Sequence, residues 1–173
     1  MVPGGRGEGR DVLGSALARE LLAARLIAYL ATLDPDGMPH VVGMWFVWDG
    51  EALLLPTSRK TRKAKNVLRD PRATVMVDDS RGGFDLRGIT IVARAEVVEA
   101  PRSFELNRAI HRKYVTDRGL SLAPVREYLA GDDITIRLVP ERASSWDLRE
   151  TPQGRALGES GEYHAVGVSS RGE

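Results

Sequence analysis

The run Pro39-His40-Val41-Val42-Gly43-Met44-Trp45-Phe46-Val47-Trp48 constrains the fold most. Read as a strand, it puts Val41, Gly43, Trp45 and Val47 on one face and Val42, Met44, Phe46 and Trp48 on the other. An antiparallel strand with one wet face alternates apolar and polar residues; this one is apolar on both. Each face therefore needs a cover. One cover is the core, and the other is a helix, a partner subunit, a flat ligand or more core. Gly43 within the strand points to close approach by another group.

The flanking segments extend this strand into a meander. Leu26 to Leu33 is strand-like, and Asp34-Pro35-Asp36-Gly37 is a strong turn signal. Asp49-Gly50 closes a tight hairpin into Glu51 to Leu55. Asp11 to Ala24 reads as an amphipathic helix weakened by Gly14. After the meander come a short helix ended by Asp70-Pro71, a strand at 73–77 and a long strand at 86–99. Helices follow at 101–114 and 123–129, then a strand at 134–139 and a short edge segment within 142–149. Strands and helices do not alternate regularly, so a doubly wound sheet is excluded. The expected fold is mainly β and antiparallel, a closed or partly closed barrel with peripheral helices. Residues 1–10 are expected to be disordered, 11–150 to form the one domain and 151–173 to be a flexible tail.

Composition removes several functions. There is no cysteine, so disulfides, thiolate nucleophiles and Cys-ligated metals are excluded. His40, His111 and His164 are too scattered for a metal set, and none has a helical partner four residues on. His40 reads as a satisfied polar group at a strand end. The Asp78-Asp79 pair points opposite ways on a strand and reads as a loop end. No glycine-rich dinucleotide fingerprint and no P-loop is present, so a bound cofactor would have to carry any reaction. No apolar run reaches the roughly 20 residues that span a bilayer. The first ten residues lack an apolar signal core, and a cytoplasmic, soluble protein without a membrane partner is expected.

The charge is oddly placed. Net charge is +1, yet Arg59, Lys60, Arg62 and Lys63 crowd the first turns of the helix after Leu55. Cations are disfavoured there by the helix dipole. A bound anion, held by the first amides, by hydroxyls and by the cations themselves, would compensate. Thr57 or Ser58 is the expected N-cap. Two other readings are a solvated basic helix and a nucleic-acid contact. The latter lacks neighbouring aromatic residues and an overall basic charge.

The ordered set Leu30 to Val42, Met44-Trp45-Phe46-Val47, and Lys60 to Leu68 with Asp70-Pro71-Arg72 resembles the pyridoxamine-5′-phosphate-oxidase-like split β-barrels. Leu86 to Ile89, Ala95 to Val98 and Ser145-Trp146-Asp147 fit the same pattern, which covers residues 12–150. Within these families the chain is most similar to the flavin and deazaflavin oxidoreductases. The resemblance implies a homodimer with cofactor sites at the subunit interface, and an enzyme that passes hydride from FMN or coenzyme F-420 to a small conjugated substrate. It implies Thr57, Ser58, Lys60, Thr61, Lys63 and Asn66 on the phosphate side and Val42, Gly43, Met44 and Trp45 on the ring side. Arg59, with Arg62 and Lys65, would suit the anionic tail of F-420, which favours the deazaflavin. The extra substrate-phosphate residues of the vitamin B6 enzymes have no counterpart near the C-terminus. No catalytic side chain is assigned. A ligand-binding protein without turnover on the same fold is the alternative.

Overall fold

Trp45 and Phe46 split the 39–48 run into two strands that lie at opposite ends of one sheet. The structure, a computed structural model, describes residues 7–8 and 10–164. In chain order it comprises β1 (Gly7–Glu8), a 3-10 turn (Arg10–Gly14), α1 (Ala16–Ala23), β2 (Ala28–Leu33), β3 (Pro39–Met44), β4 (Val47–Trp48) and β5 (Leu53–Thr57). Next come α2 (Arg62–Arg69), β6 (Arg72–Asp78), β7 (Arg87–Val98) and α3 (Arg102–Tyr114). The last elements are α4 (Asp117–Ser121), α5 (Ala123–Leu129), β8 (Ile134–Asp147) and α6 (Pro152–Ser160).

The strand order is β3-β2-β6-β7-β8-β5-β4, with β1 added beside β8, and every pairing is antiparallel. Laid flat, the outer strands of that order would stand about 29 Å apart at roughly 4.8 Å per strand. The three chain steps from Met44 to Val47 span about 11 Å at most. The sheet therefore has to curl until its ends meet at Trp45-Phe46, which makes a split barrel. Phe46 is completely buried at that junction. Leu30, Leu53, Leu55, Val75, Ile89, Ile91, Ile136 and Leu138 fill the interior, all fully buried. The double apolar character of the run thus has two sources. Met44 and Phe46 are core, whereas Val41 is 59% exposed on the outer face of an edge strand.

Gly43 has a local explanation. A Cβ there would stand 3.1 Å from Ile27 Cγ2, so the close approach anticipated at this position is made by Ile27.

Four further expectations change. The segments 134–139 and 142–149 are one strand, β8, paired with β7 through Pro140. A register shift at Val92/Ala93 leaves Glu141 without a partner, and proline is tolerated at such a bulge. The helix expected at 11–24 is divided: Gly14 closes a 3-10 turn, and Ser15 caps α1 by accepting the Ala18 N–H at 3.1 Å. The stretch read as a flexible tail from residue 151 begins with α6, where the Thr151 hydroxyl accepts the Gly154 N–H and left-handed Gly161 closes the last turn. At the other end, Gly7–Glu8 pairs with Ser144 and Ser145 rather than being disordered. The rest of both terminal expectations, residues 1–6, 9 and 165–173, lies outside the described residues.

Candidate functional site

The basic helix begins later than expected. Thr61, not Thr57 or Ser58, occupies the N-cap, and its side chain makes no capping bond. Its hydroxyl donates instead to the Ser58 carbonyl at 2.8 Å and lies 3.1 Å from the Thr57 hydroxyl. The first-turn amides of α2 are thus left without a side-chain cap, which suits an anion. Lys60 precedes the helix and is exposed.

Several cations and one amide are already committed. Asp34, at the turn after β2, is buried and accepts from Arg62 Nε at 2.7 Å and from Asn66 Nδ2 at 2.9 Å. Asn66 also donates to Thr32 Oγ1 at 3.1 Å. Asn66 thus clamps α2 to β2, with its side-chain amide N–H groups engaged by Thr32 and Asp34. Arg59 pairs with Glu99, and its backbone N–H donates to Asp133 Oδ1 at 2.7 Å. With Arg59 and Arg62 neutralised, two of the three cations assigned to a deazaflavin tail are spent. The Arg62 and Asn66 hydrogen bonds hold the Asp34 carboxyl at about 2, well below the ordinary carboxylate range. A carboxylate depressed in the folded state stabilises it above the unfolded pKa of roughly 3.9. That stabilisation is lost as pH falls from about 4 towards 2. In an acid titration followed by circular dichroism, Asp34→Asn should flatten the loss of stability across that window.

A cleft of about 510 Å³ opens beside this helix. One wall is the end of β3 and the junction residue: Val42, Gly43, Met44 and Trp45. The second is the end of β5 and the start of α2: Thr57, Ser58, Thr61 and Lys63. All four ring-side candidates and four of the phosphate-side candidates are thus brought together across one cavity. Arg59, Lys60 and Asn66 do not line it. The third wall, Tyr128, Leu129, Gly131 and Asp132, comes from α5 and the turn after it. Nothing in the local pattern marked those residues beyond a glycine turn, because they approach the cleft only through the barrel's closure.

Trp45 is held in a fixed plane. Its ring stacks on Tyr114 with centroids 5.1 Å apart and planes 3° from parallel, and His111 meets its edge at 6.3 Å. The Tyr114 hydroxyl donates to the Leu26 carbonyl at 2.6 Å and accepts the Phe46 N–H at 3.3 Å. Trp48 packs against the core instead. His111, which the sequence weighs only as an isolated metal ligand, has its Nε2 3.0 Å from Asp132 Oδ2. His40, expected to be satisfied, has a buried Nδ1 without a hydrogen-bond partner.

Lys63 sets the electrostatics of the cleft. It is half-buried, and burial lowers its pKa while the nearby Asp132 charge opposes that shift. No carboxylate pairs with it among the described residues. The same residues include no cluster of three or more metal-ligating side chains and no helix long and apolar enough to cross a membrane.

Residues 15–147 match the family model described as pyridoxamine 5′-phosphate oxidase. The chain belongs to that family. Its curled antiparallel sheet with outer helices is the family's split barrel. Among solved structures it is similar to the conserved hypothetical protein Rv2991 from Mycobacterium tuberculosis, at 32% identity over 75% of this chain and 82% of that one, with a TM-score of 0.64. It is also similar to an F420 reductase, at 27% identity over 72% and 94% of the two chains and a TM-score of 0.57. HutZ, the heme storage protein from Vibrio cholerae, shares the fold at 24% identity over 71% and 87%, with a TM-score of 0.57. No curated protein matches the chain.

Proposed function

We propose that the chain is a homodimeric oxidoreductase that holds FMN or the deazaflavin F-420 in the cleft and reduces a small conjugated substrate. The observation that carries this reading is Lys63, a half-buried amine without an ion-pair partner, set beside three hydroxyls and an uncapped helix start. A phosphate fits that wall, since it would accept charge-assisted hydrogen bonds from the Lys63 amine and from the first-turn amides of α2, which have no side-chain cap. The opposite wall suits a flat ring: Val42 to Trp45 line it, and Trp45 is locked edge and face by His111 and Tyr114. The bound cofactor would supply hydride transfer, and the chain's own residues bind, orient and shield it. Thr57, Ser58, Thr61 and Lys63 would hold the phosphate, and Val42 to Trp45 would carry the ring. The similarity to an F420 reductase supports a redox cofactor of this class. It does not choose between FMN and F-420, and the loss of Arg59 and Arg62 as free cations removes the earlier preference for the deazaflavin.

The test is a titration of the purified protein with each cofactor while tryptophan fluorescence is followed. Binding should quench it, and Trp45→Phe should remove most of the quench, whereas Trp48→Phe should leave it. A chain that binds neither cofactor, or a quench that survives Trp45→Phe, would sink this placement. Binding without reduction of any acceptor would favour a ligand carrier, because the fold also serves a heme storage protein.

The dimer has its own support. Ile27, Tyr29, Met38 and Val41 are 39%, 44%, 62% and 59% exposed, and Tyr29 pairs with Gly43 and Ala31 with Val41 on the outer face of β2 and β3. Clustered exposure of this kind marks an interaction surface. The solution mass at micromolar concentration should be twice the 19.0 kDa of one chain, and Val41→Glu should halve it.

A further inference from the structure

A second cavity, of about 550 Å³, lies behind the cleft, between α3, α4 and α5. It shares only Leu129 and Asp132 with the cleft, so the turn after α5 is the partition between the two. That partition is pinned from α3. His111 Nε2 reaches Asp132 Oδ2 at 3.0 Å, and Asn107 Nδ2 donates to the Asp132 carbonyl at 2.9 Å. The acid in the wall is thereby already engaged.

Three arginines converge on this cavity: Arg108 and Arg112 from α3 and Arg126 from α5. Arg108 and Arg112 are four residues apart, so they are neighbours on the helix surface, where like charges are destabilising. Neither Arg108 nor Arg126 pairs with a carboxylate among the described residues. Arg112 has only Asp117, 3.9 Å away and 91% exposed. Elsewhere, arginines such as Arg62, Arg72, Arg87 and Arg149 are held by acids at close range. The remaining lining is apolar: Phe104, 51% exposed at the rim, with Leu120 and Leu129. Such a combination matches a molecule with a flat apolar body and an anionic group. Guanidinium forks recognise carboxylates bidentately, and Phe104 offers a face for the body.

We propose that this second cavity binds a small amphipathic carboxylate, at a site separate from the cleft. Binding here does not require the cleft to be a redox site. The fluorescent probe anilinonaphthalene sulfonate, an aromatic anion, tests it. The parent should bind the probe with a rise in fluorescence, and naphthoate should displace it far better than the neutral naphthalenemethanol. Arg108→Gln/Arg126→Gln should weaken the probe by about tenfold or more, since each lost contact is charge-assisted. Both residues are exposed, so the variant should fold as the parent does. Lys63→Ala should leave probe binding unchanged. Equal binding by the double arginine variant, or equal displacement by the neutral analogue, would overturn the site. So would loss of the probe in Lys63→Ala, which would put it in the cleft. FMN titration of the same proteins separates the two readings. If the double variant also loses FMN, the cavity is an extension of the cofactor cleft and not a separate site. If the parent binds the probe but neither FMN nor F-420, the redox reading falls and the second site stands.

Discussion

Lys63→Ala should weaken binding of FMN or F-420 by about 1.5–3 kcal/mol, the worth of one hydrogen bond to a charged group. That is roughly a tenfold to hundredfold rise in dissociation constant. The amine is half-buried at the polar wall of the cleft and has no carboxylate to fall back on. In the empty protein the same change should keep or slightly raise the melting temperature. A cation in the first turn of α2 works against the helix dipole by roughly a few tenths of a kcal/mol when exposed. Stability and affinity should thus move in opposite directions, which no simple loss of folding would produce. Lys65→Ala, an exposed lysine of the same helix outside the cleft, is the control and should change neither stability nor FMN affinity. Arg69→Ala is unsuitable, because Arg69 donates to the Leu33 carbonyl and to Asn66 Oδ1 and so ties the helix to β2. Lys60→Ala should have the smaller effect, since Lys60 lies outside the helix and outside the cleft. Undiminished affinity in Lys63→Ala would mean that the polar wall is not where the phosphate sits.

Phe46→Ala should cost about 3–5 kcal/mol of unfolding free energy, the range for deleting a buried aromatic ring. Phe46 is 0% exposed, and it sits where the two ends of the sheet are joined by chain. Its N–H is tied to Tyr114, and the Lys113 amine lies 4.0 Å from its ring centre. Little nearby can move in to fill the gap, because the β3 and β4 strands on either side are held by opposite ends of the same barrel. Urea unfolding should show a lower midpoint with an unchanged slope. Tyr128→Ala, at 81% exposed, should stay within about 0.5 kcal/mol of the parent in the same assay. A cost for Phe46→Ala no larger than that of Tyr128→Ala would be inconsistent with a barrel closed at this residue.

Much of this protein is legible in the sequence alone. Turn residues carry their own geometry, so Asp34-Pro35-Asp36-Gly37 and Asp49-Gly50 sit where their chemistry puts them, with Gly37 and Gly50 at positive φ. Period-2 runs placed β6 and β7 to within a residue at each end, and α5 begins and ends at the expected residues. The order of those elements, with the 30–42 and 60–72 stretches, was enough to indicate the family that the match over residues 15–147 establishes. Tertiary structure decided the rest. Periodicity reports which side of a strand is apolar, not which other strand it will meet, so the 39–48 run looked continuous although its halves belong to opposite sheet edges. A basic cluster reports charge, not partners. Asp34 and Glu99, far along the chain, neutralise Arg62 and Arg59 and leave Lys63 to face the cleft, while Asn66 is drawn into the Asp34 clamp. The third wall of the cleft, with Tyr128 and Asp132, has no local signature, because more than sixty residues and the curl of the barrel separate it from Lys63. Short-range chemistry is written in neighbouring residues; the site is made by contacts that exist only once the sheet has closed.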